Sequence, residues 1–155
     1  MHRITLEDFE RSDTAVRLAL HNAVPEMLVP TARETLAMME SIQAYLSAEA
    51  GRDVQIFISS GYRCAALNQA VGSSKTSDHP RAMACDWTAP LFGTPREICA
   101  ALVPVLDELG IGQLIFEFGR WCHTSSRPVS VAANRVLTIN HAGISAGISA
   151  GISQA

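Results

Sequence analysis

The predicted fold depends most on one stretch of sequence, QLIFEFGRWCH, which runs from Gln113 to His123. Gln113–Phe118 is strand-like, Gly119 and Arg120 suit a turn, and Trp121–Thr124 resumes extended structure. The chain around this stretch contains further strands and helices in irregular order. That order is typical of an α+β fold with a small antiparallel sheet and flanking helices, rather than of alternating βαβ units.

The remaining elements are predicted from periodicity and capping signals. Apolar residues alternate with polar ones from Val54 to Ser59, which favours a strand, and shorter strands are predicted at Ala84–Thr88 and Val136–Ile139. Four helices are predicted. The first lies within Ser12–Asn22 with Ser12 as its cap, and the second runs from a Thr31–Glu34 capping box to Gly51. The third is a short helix at Ala65–Ala70, and the fourth runs from a Thr94–Glu97 capping box towards Leu109, with a break at Pro104.

Composition excludes several classes of protein. The chain has 155 residues, 48% of them hydrophobic and 17% charged, which suits one domain with a real core. Its net charge is −3, without the excess of basic residues that is typical of nucleic-acid-binding proteins, so we expect no nucleic-acid partner. No apolar run approaches the ~20 residues of a membrane span, so we expect no membrane insertion. The four cysteines show no CxxC spacing and are interpreted as free thiols in a reducing compartment.

The C-terminal segment is repetitive. Ala142–Ser145 reads AGIS, and the same four residues recur at 146–149 and 150–153. Such short copies cannot form a solenoid. We therefore expect one domain over residues 1–145, followed by a flexible repeat tail over residues 146–155.

Two histidines and an aspartate form a candidate metal site. His79 and Asp86 lie seven residues apart across a loop and the start of a strand, and His123 lies in a later strand. Imidazole and carboxylate groups both ligate Zn²⁺, and a catalytic zinc needs three protein ligands and an open position. Cys85 and Cys122 stand beside two of these residues, so a thiolate site is the alternative. Strand alternation argues against it, because neighbours in a strand face opposite sides.

Several motifs occur in the order found in a known family. The segment Ser77–Asp86, SDHPRAMACD, resembles the SxHxxGxAxD signature of the D-alanyl-D-alanine metallopeptidases, which are zinc peptidases of bacterial cell walls and phage lysis cassettes. The glycine of that signature is Ala82 here, which costs stability if the position needs a positive φ. Other segments resemble the same family over most of the chain: SSGYR at 59–63 with LN at 67–68, VGSSKTSDH at 71–79, QLIFEFGRWCH at 113–123 and RVLT at 135–138.

The resemblance implies a zinc site and two catalytic residues. His79, Asp86 and His123 match the family's zinc ligands, which places zinc at one end of the sheet. Arg63 matches an arginine that binds substrate and stabilises the developing oxyanion. Glu117 best matches the acidic base, although relatives often carry that glutamate three residues before the last histidine.

Four further residues are candidates for contact with the substrate around the metal. Ser77 and Asp78 correspond to loop residues that contact the polar ends of the substrate. Tyr62 is expected either to line the cleft or to pack in the core. Trp121 is expected to form a platform beside the metal, because it lies two residues from His123 and on the same strand face.

The predicted function is zinc-dependent hydrolysis of peptide bonds in peptidoglycan stem peptides. The reaction expected is that of a D-Ala-D-Ala carboxypeptidase or D,D-endopeptidase. The alternatives are an L-alanyl-D-glutamate endopeptidase of endolysin type, a catalytically lapsed wall-binding module, and a structural zinc protein with Cys85 or Cys122 as fourth ligand.

The predicted setting follows from the resemblance together with the N-terminal sequence. The partner is the peptidoglycan peptide, and we expect a monomer. The N-terminus has no apolar h-region, so no signal peptide is predicted. A cytoplasmically made enzyme that acts on the wall would be released by phage lysis or carried in a virion.

Overall fold

A computed structural model of the protein describes residues 1–129 and 132–149. One six-stranded sheet organises these residues. Its strands are β1 Phe57–Ser60, β2 Ala84–Thr88, β3 Gln113–Glu117, β4 Trp121–Ser125, β5 Val136–Asn140 and β6 Gly143–Ala146. The helices are α1 Leu6–Glu10, α2 Asp13–Arg17, α3 Val29–Ala50, α4 Ala65–Ala70 and α5 Pro95–Leu102.

The order of the strands across the sheet is β1-β2-β4-β3-β5-β6. All neighbouring pairs are antiparallel except β3 and β5, which run parallel. The chain enters β5 at the end of the sheet where it leaves β4, because Leu114 is in register with both Thr124 and Val136. The predicted α+β class is therefore confirmed, with one parallel pair inside a mostly antiparallel sheet.

The two faces of the sheet differ in chemistry. Trp87 of β2, Leu114 of β3 and Cys122 of β4 are all buried on the face that joins the hydrophobic core. Helix α3 packs on this side, where Thr124 donates a hydrogen bond to the sulfur of Met39 at 3.3 Å. Polar side chains of β2, β3 and β4 occupy the opposite face, because successive residues of a strand alternate.

The N-terminus of α3 differs from the prediction. The helix begins at Val29, so Thr31 lies inside it and makes no cap. A 3₁₀ turn at Glu26–Leu28 runs directly into the helix, and Pro30 is tolerated in the first turn because its missing N–H would have no helical partner there. The C-terminus agrees with the prediction, since Gly51 adopts φ 65° and ends the helix.

The other predicted helices are present with shorter bounds. Ser12 caps α2, but that helix ends at Arg17. The Thr94–Glu97 capping box is formed at the start of α5. This helix stops at Leu102, and a 3₁₀ turn at Val103–Val105 follows it, in agreement with the expected break at Pro104. No helix within the described residues is long and apolar enough to cross a membrane.

The repeat region begins as an edge strand. Gly143–Ala146 pairs antiparallel with β5, so the first AGIS copy belongs to the sheet and the boundary predicted after residue 145 falls inside β6. Beyond the strand, the backbone N–H of Gly147 donates to Val136, and that of Ser149 donates to the Thr138 hydroxyl. The prediction of a flexible tail, as far as it concerns residues 150–155, lies outside the described residues.

Candidate active site

Three buried side chains converge on the polar face of the sheet. His79, Asp86 and His123 are 2%, 8% and 7% exposed, respectively. One potential ligand atom from each residue lies within 4.8 Å of the other two. The Asp86 carboxylate lies between the imidazoles, with Oδ1 2.8 Å from Nδ1 of His123 and Oδ2 3.3 Å from Nε2 of His79. The structure thus brings together the three residues that were predicted as zinc ligands.

Strand pairing brings two of these residues together. Asp86 of β2 and His123 of β4 are directly opposite each other in the antiparallel register. Residues in such a pair project from the same face of the sheet at short distance. Cys85 and Cys122 therefore face the core, where both are 0% exposed. This arrangement does not favour a thiolate as a fourth ligand.

His79 reaches the cluster from a loop rather than from a strand. It begins a 3₁₀ turn at His79–Arg81, which ends at Ala82 in the left-handed conformation with φ 60°. The glycine position of the signature therefore does require a positive φ, which strains an L-residue. The hydroxyl of Thr35 donates a hydrogen bond to the Ala82 carbonyl at 2.7 Å and ties this turn to α3.

A backbone carbonyl sets the tautomer of His79. Its Nδ1 lies 2.7 Å from the carbonyl oxygen of Gly61. Because a carbonyl can only accept, Nδ1 carries the hydrogen and Nε2 keeps the lone pair that faces Asp86. Orientation of a ligating histidine by a second hydrogen bond is common in metal sites. This role of Gly61 cannot be predicted from the SSGYR segment, because it depends on a contact between residues 18 positions apart.

The charges within the cluster favour an ionised aspartate. Burial raises the pKa of Asp86, but the charges and hydrogen bonds of His79 and His123 outweigh burial and hold this pKa below its usual range. Burial lowers the pKa of His79. Burial also acts to lower the pKa of His123, but the hydrogen bond and charge of Asp86 raise it overall.

The donor set fits a zinc ion. It combines two imidazole nitrogens and one carboxylate, which is a ligand set that Zn²⁺ accepts and is one ligand fewer than the four that zinc usually takes. The lone pair of His79 Nε2 is available because Gly61 occupies Nδ1. The three ligand atoms also lie within 4.8 Å of one another, so the fit rests on geometry as well as on residue type.

Glu117 lies beside the cluster at the end of β3. Its Oε1 is 3.6 Å from Nδ1 of His123, and its Oε2 accepts a hydrogen bond of 3.2 Å from Nε1 of Trp121. Burial and the charge of Asp86 raise the pKa of Glu117. A carboxylate in this position is able to exchange a proton with a group bound at the cluster.

A tight turn explains the spacing of six residues between this carboxylate and His123. Phe118 and Gly119 both have positive φ, at 52° and 68°, and the Arg120 N–H bonds back to the Glu117 carbonyl, as in a type I′ hairpin turn. The hairpin places Glu117 opposite Trp121 on the face that carries His123. Arg120, three residues before the histidine, is exposed in the turn.

Arg63 lies close enough to the cluster for the charges of the Asp86 and Glu117 carboxylates to act on it. Burial lowers the pKa of Arg63, while the charges of Asp86 and Glu117 act to raise it. Its backbone N–H donates to the His79 carbonyl at 3.3 Å, which ties the segment after β1 to the His79 turn. Its Nε is buried and makes no hydrogen bond with any described residue.

Three residues predicted to contact substrate have structural partners in this fold. The Ser77 hydroxyl accepts from the backbone N–H of His79 at 3.2 Å. Asp78 is 4% exposed and accepts from the Ser125 hydroxyl at 2.9 Å, which anchors the loop to β4. Tyr62 is 6% exposed and belongs to the hydrophobic core. Trp121, the fourth predicted contact residue, is half-buried and donates a hydrogen bond to Glu117.

One comparison with known proteins gives a match. A family model described as Peptidase M15 matches residues 2–125, well over half of the chain. The matched range ends with the last residue of β4 and includes every residue of the cluster described above. No curated protein matches the sequence.

Proposed function

Because the chain belongs to the peptidase M15 family of metallopeptidases, we propose that it hydrolyses peptide bonds in the stem peptides of peptidoglycan. The proposed reaction is that of a D-Ala-D-Ala carboxypeptidase or D,D-endopeptidase. The observation that carries the proposal is the buried His79–Asp86–His123 cluster with Glu117 beside it, inside the range that matches the family.

The proposed metal ligands are His79, Asp86 and His123. A bound zinc ion supplies a Lewis acid that polarises a carbonyl and makes water more acidic. The protein contributes an oriented donor set, since Gly61 holds the ring of His79 and β-sheet pairing holds Asp86 against His123.

Glu117 is the proposed general base. Its carboxylate takes a proton from the attacking water and returns it to the amine nitrogen that leaves. The Trp121 indole N–H restricts the carboxylate to one orientation, with its second oxygen towards His123. The raised pKa of Glu117 favours this role, because a base is most effective when its pKa approaches the working pH.

Arg63 is the proposed substrate anchor. Its guanidinium would hold the substrate carboxylate or the oxyanion that develops at the scissile carbonyl. The unpartnered, buried Nε of Arg63 supports this proposal, since desolvated donors bind anions more strongly than exposed ones.

Digestion of purified muropeptides, followed by mass spectrometry, tests the proposed function. The zinc-loaded chain should release a terminal D-alanine or cut a D,D cross-link. Cleavage between L-alanine and D-glutamate would support the endolysin-type alternative instead. A chain that binds one zinc and produces no new fragments would be a lapsed wall-binding module.

The matched pair His123→Ala and His21→Ala tests the site behind that activity. His123→Ala should lose zinc and turnover together, as measured by metal analysis and digestion. His21 is exposed and lies outside the cluster, so its replacement should leave both unchanged. Full zinc retention in His123→Ala would reject the proposed ligand set.

A further inference from the structure

Two cysteines meet on the core side of the sheet, behind the candidate active site. Cys99 lies on α5 and Cys122 on β4, and both are 0% exposed. Their Sγ atoms are 3.2 Å apart, and Cys122 Sγ is also 3.3 Å from the carbonyl oxygen of Pro95 at the start of α5. The sequence alone separates these residues by 23 positions and gives no sign that they meet.

We propose that Cys99 and Cys122 form a disulfide when the chain folds in the presence of a small-molecule disulfide such as oxidised glutathione. A disulfide has an S–S distance of about 2.05 Å, so the two sulfurs need to approach by roughly 1 Å. The sheet side of the pair is held by strand pairing, with Cys122 opposite Trp87 and Phe116. The adjustment therefore falls mainly on α5, which is a single short helix.

The chemistry is a pair of thiol–disulfide exchanges. The thiolate of one cysteine attacks a sulfur of oxidised glutathione, and one glutathione leaves as a thiol. The thiolate of the second cysteine then attacks the mixed disulfide, and the other glutathione leaves as the Cys99–Cys122 bond forms. Two protons and two electrons pass from the protein to oxidised glutathione, which ends as two thiols.

Burial determines when this reaction takes place. In the folded chain neither sulfur is open to solvent, so an oxidant reaches the pair only before α5 has packed against β4. Once formed, the bond is shielded from reductants for the same reason. It would close a loop over residues 99–122, which contains β3 and the hairpin turn next to Glu117. Closure of this loop restricts the unfolded chain and stabilises the folded one.

Refolding of the full chain tests the proposal. Protein unfolded in denaturant and reductant is refolded with zinc and a mixture of reduced and oxidised glutathione, and its intact mass and peptide map are recorded. We expect a mass lower by two hydrogen atoms and one linked peptide pair joining Cys99 to Cys122. The midpoint of thermal unfolding should rise by about 5–10 °C relative to the reduced protein.

Two serine variants provide the comparison. Cys99→Ser should show neither the mass change nor the thermal shift, whereas Cys64→Ser, which removes a half-buried thiol away from the pair, should show both. Three results for the refolded wild type would overturn the proposal: four free thiols, glutathione adducts alone, or a disulfide between another pair of cysteines. If Cys99→Ser does not fold, the peptide map of the wild type decides, since it identifies the linked residues directly.

Discussion

At the scale of single residues, the two tryptophans of the chain show how one side chain can serve either the site or the core. Trp121 Nε1 donates to the carboxylate of Glu117 at 3.2 Å on the polar face of the sheet. Trp87 Nε1 donates to the hydroxyl of Thr124 at 2.9 Å on the core face, where Trp87 is 0% exposed. The two indole hydrogen bonds are similar in length but differ in what they orient.

Replacement of each tryptophan by phenylalanine separates these roles. Trp121→Phe removes a hydrogen bond to a carboxylate, worth about 1.5–3 kcal/mol, so turnover should fall by roughly tenfold or more and the free energy of unfolding by no more than that amount, while zinc content stays nearly constant. Trp87→Phe should lower the free energy of unfolding by about 1–3 kcal/mol and leave kcat nearly unchanged. Steady-state kinetics and thermal melts of both variants provide the measurements. Equal turnover in wild type and Trp121→Phe would argue against orientation of Glu117 by the indole.

Glu117→Gln tests the base itself. The amide keeps the size of the side chain but cannot take up the proton of the attacking water. Because positioned acid–base groups contribute about 10²–10⁴-fold, kcat should fall by that factor, with little change in KM and with zinc retained. Glu40→Gln, an exposed site on α3, is the matched control.

A fully active Glu117→Gln would make another carboxylate the base. Asp78 is the nearest alternative in sequence to the ligands, but both Ser125 and Arg127 hold its Oδ2, so it anchors the loop instead of facing a reactant. The variant Asp78→Asn would then be expected to fail through loss of the loop and of zinc, which metal analysis distinguishes from loss of a base.

At the scale of elements, the contact between Gly61 and α1 links the fold to the metal site. A Cβ on Gly61 would lie 2.3 Å from the carbonyl oxygen of Phe9, and the Tyr62 N–H donates to that same oxygen at 2.8 Å. The backbone at Gly61 must therefore approach α1 closely. The Gly61 carbonyl in turn holds His79 Nδ1.

Gly61→Ala should disturb both the packing of α1 and the metal site. Overpacking against backbone costs about 1–3 kcal/mol, and the displaced carbonyl should weaken zinc binding by roughly 10–100-fold, as expected for loss of an orienting partner. Gly51→Ala is the control, because its φ of 65° strains alanine by about 1 kcal/mol while the position is open and remote from the site. Zinc titration should separate the two variants even if their melting temperatures are similar.

The two capping boxes show why local sequence patterns predict some elements and not others. Thr94 and Glu97 exchange the expected hydrogen bonds, because Thr94 itself has an extended backbone and leaves the first N–H groups of the helix open. Thr31 and Glu34 have the same spacing, but the preceding 3₁₀ turn already supplies helical backbone, so the helix starts earlier. The four-residue pattern does not contain this information, since it depends on residues upstream.

Alanine at each threonine tests this difference. Thr94→Ala should lower the free energy of unfolding by about 0.5–2 kcal/mol, as expected for loss of an N-cap. Thr31→Ala places a better helix former inside α3 and should change stability by no more than about 0.5 kcal/mol. Denaturant titrations measure both, and a larger loss in Thr31→Ala than in Thr94→Ala would contradict the observed helix start.

At the scale of the whole molecule, the sequence predicts the parts that depend on period and order. Strand alternation correctly separates Asp86 and His123 from Cys85 and Cys122, because alternation is a property of the strand itself. Three contacts were not predictable in this way: the Gly61 carbonyl at His79, the hydrogen bond from Trp121 to Glu117, and the approach of Cys99 to Cys122. Each depends on tertiary placement of two segments, which neither spacing nor composition specifies.

The far edge of the sheet is where sequence and structure diverge most. The AGIS repeat offers little to bury, and β6 is exposed along its whole length, yet it pairs with β5. The chain after β6 is held by Thr138, which is 3% exposed: its hydroxyl donates to the Gly147 carbonyl at 2.7 Å and accepts from the Ser149 N–H at 2.9 Å. The buried Thr138 hydroxyl on β5 is thus hydrogen-bonded to the backbone of the repeat region at two residues.

Thr138→Val should release this segment while preserving the shape of β5. Valine matches threonine in volume and strand preference but offers no hydrogen bond, so the Gly147 carbonyl and the Ser149 N–H both lose their partner. The expected cost is about 1–3 kcal/mol, equivalent to a fall of roughly 3–10 °C in Tm, with faster hydrogen exchange at the Ser149 amide. Thr88→Val, on β2 away from the repeat, should leave the hydrogen exchange of the Ser149 amide unchanged.

Because the family match ends at β4, zinc content and turnover should be unchanged in Thr138→Val. Their loss would show that β5 and the repeat region support the site directly.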